Sequence, residues 1–460
     1  MKTKNNTSNK QKKKTIYKQV LAKITPSKKE LLDEKKLFEE IRKKVESMEG
    51  THSHLEWCGS SARGTHLHGD RDLDLFLMFD KEKSDEELER EGLRIGKKVF
   101  KGAFWEKAYS QHPYIRGVIR GFDIEIVPGF IVKSGREKKS AVDRTPFHNK
   151  YLLKNMTNKQ RSDARLLKQF LKGINAYGAD LKNCSLPGYG VELLVLYYGS
   201  FEKTLIGITK WKEKQRIKFN NKKGKTFDDP LILVDPVDEN RNVASALSKE
   251  QFGRIIFAST LFLKNPSIKF FFPKQKKAWN KNKVKKMLSK KELIAIKTTF
   301  PKNVLSDLVW GQLRRVAKKG THYLEELDFE VERGDVWSNE KDVWFIFELK
   351  EMKLQKARKM IGPRVEDKEN IEKFLAKKRK ILSGPRVEEG RIVLETERKV
   401  INAKDALTEF IKENKKTETK TVKQILRQSK VLKEKDLLSA YKGEFAEFFS
   451  AYLEGKEIFE

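Results

Sequence analysis

The sequence predicts an α+β, multidomain chain: a head of antiparallel sheet and helices, a helical central domain and a mixed α/β tail. Three observations predict it. Asp72-Leu73-Asp74-Leu75-Phe76-Leu77-Met78-Phe79 and Phe122-Asp123-Ile124-Glu125-Ile126-Val127 read as strands. From about Lys150 the apolar period turns helical, with Leu166, Leu167, Phe170, Leu171 and Ile174 in one stripe and a further apolar segment over Glu192 to Tyr198. Strand candidates then recur near Tyr323 to Val331, Val343 to Leu349 and Arg391 to Val400, before helical patterning returns after Ala403.

Met1 to Val20 holds seven lysines and no acid, which predicts a flexible basic arm over residues 1–20. Thr25-Pro26-Ser27 then offers a cap. Leu31, Leu32, Leu37, Phe38, Ile41, Val45 and Met48 follow at helical spacing, predicting an amphipathic helix that ends near Gly50. A strand-like, turn-rich stretch runs on to about Phe130, and the helical period begins at about Lys150. From Lys264 to Lys290 there are ten lysines and no acid, interleaved with Phe270, Phe271, Phe272 and Trp279. Gly362-Pro363-Arg364-Val365-Glu366 recurs as Gly384-Pro385-Arg386-Val387-Glu388; two copies are too few for a solenoid and read as similar turns.

Of 460 residues, 99 are Lys or Arg and 65 Asp or Glu, a formal charge of +34. A surplus of this size points to a partner rich in phosphates, nucleic acid or an anionic membrane. Nucleic acid is favoured, because no apolar run approaches the ~20 residues of a membrane span. The best run, Ile255 to Leu263, is closed by Lys264, and the start of the chain carries no signal-peptide core. Two cysteines, Cys58 and Cys184, make neither a disulfide framework nor a zinc site, as expected of a cytoplasmic protein.

The chemistry concentrates in Gly59-Ser60-Ser61-Ala62-Arg63-Gly64-Thr65 and the Asp72-x-Asp74 strand that follows. Side chains alternate faces along a strand, so Asp72 and Asp74 project together while Leu73 and Leu75 face the core. Hard oxygen ligands at this spacing suit Mg²⁺. Upstream, Gly59-Ser60 can turn backbone N–H groups and a hydroxyl toward a terminal phosphate, with Arg63 as a positive charge. An isolated Asp-x-Asp is usually a solvated strand edge. Here the apolar run Leu75 to Phe79 predicts an interior strand, where two carboxylates are costly without a cation, and a third carboxylate is expected from Glu125 or Asp123. Such triads bind two metals in phosphoryl or nucleotidyl transfer.

Gly-Ser, a gap, Asp-x-Asp and a later strand carboxylate resemble the polymerase-beta-like nucleotidyltransferase superfamily. The fuller strings narrow this. Gly59-Ser-Ser-Ala-Arg-Gly-Thr-His-Leu, His112-Pro113-Tyr114, Ile126-Val127-Pro128, Asp143-Arg-Thr-Pro-Phe-His148, Lys168 with Tyr177-Gly178-Ala179, Gly188-Tyr189-Gly190-Val191-Glu192-Leu193-Leu194, and Asp235-Pro236 with Arg241-Asn242-Val243-Ala244 are similar to the archaeal, class I CCA-adding enzymes, which are tRNA nucleotidyltransferases. Gln111, Glu125 and Gly129 stand where that family commonly has an acid, Asp and Cys.

The resemblance implies a nucleotidyltransferase head over 21–149. A helical domain of 150–275 would be closed by 405–460, with an α/β tRNA-binding tail of 276–404 inserted between. It implies that Asp72, Asp74 and Glu125 hold two Mg²⁺ ions, with Asp123 the reserve ligand. Ser60, Arg63, His148, Lys168 and Tyr177 would grip the triphosphate, Thr145 would lie near the nucleotide, and Arg241 would help read the base. The implied function is template-independent addition of C, C and A to the tRNA 3′ end from CTP and ATP. A homodimer is compatible with the chain. Alternatives are a poly(A) polymerase or another RNA terminal transferase, and a non-catalytic RNA-binding protein on the same scaffold.

Blander readings hold for other features. The His52/His54 and His66/His68 pairs lack further soft ligands except Cys58 and read as strand or turn surface. The Lys264 to Lys290 stretch reads as packing plus backbone electrostatics, with Trp279 a candidate for base stacking.

Overall fold

The structure, a computed structural model, describes residues 2–48, 53–109, 112–274 and 276–460. The expected helix end near Gly50, His52 of the first histidine pair, and Gln111 lie outside the described residues. The chain forms two compact units, Met1–Lys274 with Glu457–Glu460, and Gln275–Lys456.

The first unit opens with a correction. Where a flexible arm was expected there is a helix, α1 (Lys2–Ile24). Ile16, Val20 and Ile24 recur every fourth residue and are buried, while Lys10, Lys12, Lys14 and Lys18 stay exposed. One apolar stripe thus gives a lysine-rich helix the packing it needs to persist. In α2 (Lys28–Glu46) the capping box of Ser27 and Glu30 fixes the start, and Leu37, Ile41 and Val45 are buried.

The head follows: β1 (Ser53–Cys58), α3 (Gly59–Ala62), β2 (Asp72–Phe79), α4 (Asp85–Val99), β3 (Phe104–Tyr109), β4 (Pro113–Ile119) and β5 (Phe122–Phe130). Its five-stranded sheet runs β1-β2-β5-β4-β3. The pairs are antiparallel except β2–β5, which is parallel, so the expected antiparallel sheet is mixed at its centre. Leu73, Leu75, Leu77 and Phe79 join Ile124, Ile126 and Phe130 in a core with Leu37, Ile41, Leu88 and Ile95 of α2 and α4. The helices cover one face of the sheet, and the aspartates lie on the other.

Next come α5 (Thr145–Asn155), α6 (Asn158–Gly173), α7 (Gly188–Tyr198), α8 (Phe201–Ile208), β6 (Gln215–Ile217), β7 (Leu231–Asp235), β8 (Asp238–Asn242) and α9 (Lys249–Lys264). Phe170, Phe201, Phe262, Phe270 and Phe271 form their aromatic core, so these phenylalanines of the basic stretch pack inside.

The second unit contains α10 (Lys281–Leu288), β9 (Glu292–Thr299), α11 (Ser306–Glu326), β10 (Val331–Ser338), β11 (Asp342–Leu349), β12 (Ala357–Arg364), α12 (Lys368–Ala376), β13 (Ile381–Glu388), β14 (Arg391–Glu397), α13 (Ala403–Thr417), α14 (Lys420–Arg427), β15 (Lys430–Leu432), α15 (Glu434–Ala440) and α16 (Gly443–Glu454). Its sheets run β10-β11-β9-β15 and β12-β14-β13. Three expectations change. The strand expected at Tyr323 is the end of α11, whose buried Val309, Leu313, Val316 and Leu324 keep a helical period. The Gly-Pro repeats are not turns: they lie in β12 and β13, flanking β14, where the ladder slips between Ile361 and Arg364 and between Ser383 and Arg386. Proline lacks the N–H a regular ladder needs, which accounts for both irregularities. Residues 405–456, expected to close the helical domain, belong to this unit, because Phe445, Phe449, Tyr452 and Leu453 pack with Trp344, Ile346 and Ala295; only residues 457–460 return to the first unit, where Phe459 stacks on Phe270.

Candidate active site

Parallel pairing of β2 with β5 sets Asp72 opposite Asp123 and Asp74 opposite Glu125. Strand alternation puts all four on one face of the sheet. Asp74 abuts the Gly-Ser turn: a Cβ on Gly59 would collide with its carboxylate, and Gly59 has φ +75°, so two independent constraints require glycine there. Burial and the facing Glu125 push the Asp74 carboxyl up to about 6, opposed by Arg63 and Lys168. Asp72 is raised by burial, Asp70 and Asp123. Burial raises Glu125 as well, against the Tyr114 hydroxyl, which donates to it over 3.1 Å. A cavity of about 420 Å³ over this face is lined by Asp72, Asp123, Glu125, Arg116 and Phe104.

The second half of the site is built on α7. Its first turns present Gly188, Tyr189 and Glu192, with Tyr189 and Glu192 three residues apart and therefore on one side. Glu192 is wholly buried. Arg63 donates to it from Nη2 at 2.9 Å and Nε at 3.1 Å, Lys168 Nζ from 3.3 Å, and Thr65 donates its hydroxyl. Burial alone would raise the Glu192 carboxyl, but Arg63, Lys168 and Thr65 hold it below the usual range. Lys168 is lowered by burial against the pull of Glu192. At Gly188 a Cβ would press on the Tyr177 hydroxyl and approach Lys168 Nζ, so Tyr177 and Lys168 meet at the start of α7. The Tyr189 hydroxyl donates to Asp235 at 3.2 Å, where His148 Nε2 (2.8 Å) and Arg241 Nη1 (2.9 Å) also bond.

Three family models match the chain in order: nucleotidyltransferase domain over residues 38–148, tRNA nucleotidyltransferase second domain over 162–272, and CCA-adding enzyme C-terminal domain over 290–434. A CCA-adding enzyme of Methanosarcina mazei is 38% identical over 399 residues, covering 85% of this chain and 87% of that protein. One of Saccharolobus islandicus is 35% identical over 388 residues, covering 84% and 90%. The chain belongs to the CCA-adding enzyme family. It is a tRNA nucleotidyltransferase of archaeal type, and the class works in general with nucleoside triphosphates and a divalent metal. Among solved structures, E. coli MS115-1 CdnC with ATP is 17% identical, with a TM-score of 0.43 over 56% of this chain and 94% of that one.

The enzyme brings most of the expected site residues together and changes the meaning of some. Asp72, Asp74 and Glu125 share their face, and Ser60 sits half-buried in α3 beside Asp74's glycine partner. Arg63, expected to grip the triphosphate as a fixed positive charge, is pinned within the protein, since Nε and Nη2 bond Glu192 and Nη1 reaches Asn149 at 3.4 Å. Lys168 is likewise buried. Thr145 opens α5 one turn before His148. Trp279 packs in the second unit, with Lys283 Nζ 3.6 Å above its ring and its backbone N–H donated to the Ser450 hydroxyl, an arrangement of packing rather than an open stacking face. His66 and His68 each pair with a glutamate of the second helix, Glu34 and Glu30.

Sequence reasoning missed Glu192 and Asp235 as organisers of the site. Both stand within motifs already singled out. Glu192 is the one acid in Gly188-Tyr-Gly-Val-Glu-Leu-Leu-Val-Leu, and a lone charge in an apolar helix was the available signal.

Among the described residues no three His, Cys, Asp or Glu side chains converge as a finished ligand cluster. The donors nevertheless fit a hard divalent cation. They are carboxylate oxygens on adjacent interior strands, and a positive ion would offset the mutual repulsion that raises Asp74.

Proposed function

We propose that the enzyme adds C, C and A without a template to the 3′ end of tRNA, with CTP and ATP as substrates and pyrophosphate as leaving group. The observation that carries this mechanism is the adjacency of the Asp72/Asp74/Glu125 face to Arg63 and Lys168, the two cations that Glu192 of α7 holds, expressed in their pull on Asp74. Asp72, Asp74 and Glu125 would hold two Mg²⁺, whose chemistry there is to make the tRNA 3′-hydroxyl more acidic and to offset charge on the departing pyrophosphate. Ser60, Tyr177 and the surplus positive charge around Glu192 orient the triphosphate. Thr145 and Arg241 face the nucleoside, and His148, expected at the triphosphate, is held beside Arg241 through Asp235. The cavity beside Phe104 and Arg116 receives the RNA end. Catalysis then comes from positioning and fixed charge, with no histidine acting as base. Neither Cys58 nor Cys184 is in a disulfide, in keeping with work in the cytoplasm.

The test is incorporation of one nucleotide at a time into tRNA transcripts ending before or within CCA, with Mg²⁺ present. CTP is expected to extend a transcript lacking CCA and then stop, and ATP to extend only one ending in CC. Long homopolymer tails from ATP would move the enzyme to the poly(A) polymerases. Absence of all incorporation would leave an RNA-binding scaffold.

A further inference from the structure

We propose that Asp235 is a positioning residue for nucleotide choice, holding the Arg241 guanidinium and the His148–Tyr189 ring pair as one rigid reader of the incoming base. This deepens the proposed function and rests on it.

Asp235 ends β7 and is 1% exposed. An ionised carboxylate has about four acceptor positions, and here all four are filled. Oδ2 accepts from His148 Nε2 at 2.8 Å and from Arg241 Nη1 at 2.9 Å. Oδ1 accepts from the Tyr189 hydroxyl at 3.2 Å and the Val237 N–H at 3.1 Å. One carboxylate therefore ties α5, α7 and the turn of the β7–β8 hairpin. The His148 and Tyr189 rings lie 4.1 Å apart at 30°, which fixes their planes as well. Arg241 is held from its backbone too, because the next residue, Asn242, is buried and bonded to Leu231 and Leu233 of β7. Its side chain is 31% exposed, and Nη1 is tethered to Asp235, which leaves Nε and Nη2 as donors for a ligand.

A guanidinium only donates. On the Watson–Crick edge, cytosine and adenine carry a ring-nitrogen acceptor, N3 and N1, where uracil and guanine carry an N–H. A guanidinium that cannot swing away bonds the first pair and opposes the second donor to donor. A mobile one would retreat and tolerate either. Discrimination of this kind depends on the rigidity of the donor, so the carboxylate behind Arg241 is as much a determinant as Arg241 itself.

Asp235→Asn keeps the volume and removes the charge. With a tRNA lacking CCA, the ratio of kcat/KM for CTP over UTP is expected to fall about tenfold or more, with tRNA affinity within about twofold. In the Arg241→Ala background the same substitution should lower that ratio no further. A merely structural role would reduce all nucleotides alike, and an unchanged ratio overturns the proposal. Should Asp235→Asn not fold, Tyr189→Phe removes one bond to Asp235 and keeps the ring; a smaller fall in the same ratio is expected, and none overturns the proposal. The wild-type control separates this from the parent reading: failure of wild type to add C removes both, whereas normal wild-type addition with an unchanged variant ratio removes Asp235 alone.

Discussion

At Asp74 two fields meet. Burial and Glu125 hold its carboxyl up at about 6, while Arg63 and Lys168 draw it down. A carboxyl whose folded pKa lies above its unfolded value, about 3.9, costs stability as pH rises between the two, and the cost is complete above the folded value. A divalent cation bound there offsets that cost only where Asp74 is ionised. Mg²⁺ should therefore raise the Tm of the free protein more at about pH 7.5 than at about pH 5, and Asp74→Asn should abolish the difference along with nucleotide transfer. An equal Mg²⁺ shift in the variant, read by thermal melting, would remove Asp74 from the ligand set. Asp74 was legible because strand alternation is local, and Glu125 because it shares that pattern. Asp235 was not, because a carboxylate that will be buried among His148, Tyr189 and Arg241 looks in sequence like any loop acid.

At the scale of elements, α7 joins the two halves of the site, and Glu192 carries the junction. Two cations share one carboxylate in a place without solvent, so removing that carboxylate leaves both charges buried and uncompensated. Glu192→Gln should destabilise the first unit by about 3–5 kcal/mol in urea unfolding, and raise the KM for CTP more than it lowers kcat. A loss below about 1 kcal/mol would mean that Arg63 and Lys168 find other partners. The strands and most helices could be read from their periods, but the sense of pairing could not. Nothing local to Asp72–Phe79 or Phe122–Phe130 states that these two strands run parallel, and the register that opposes Asp74 to Glu125 depends on that sense. The helix α1 shows the reverse error. Ile16, Val20 and Ile24 carry a helical signal that the lysines between them masked.

At the scale of the whole molecule, the charge of +34 is divided unevenly. Some of it is spent internally: Arg63, Lys168 and Arg241 are bound to Glu192 and Asp235 and cannot all serve as phosphate donors. Half of it lies in the two lysine-rich stretches noted in the sequence, and the fold brings the first of them to the start of the second. Along α1, Asn9 donates to the Lys264 carbonyl at 3.5 Å, and Lys12 reaches Asn265 at 3.2 Å. Lys10, Lys14 and Lys18 remain exposed there, a row of cations that the helix holds at fixed spacing. Such a row binds a polyanion by releasing counterions, so its contribution appears in the salt dependence of affinity and not in the chemical step. Replacing Lys10, Lys14 and Lys18 by alanine leaves the buried stripe of Ile16, Val20 and Ile24 intact, so α1 should stay folded. If each lysine meets one phosphate, the slope of log affinity for tRNA against log salt should flatten by about two to three, with turnover at saturating tRNA within about twofold. An unchanged slope in filter-binding titrations would show that α1 lies off the RNA path and that its lysines serve only solubility.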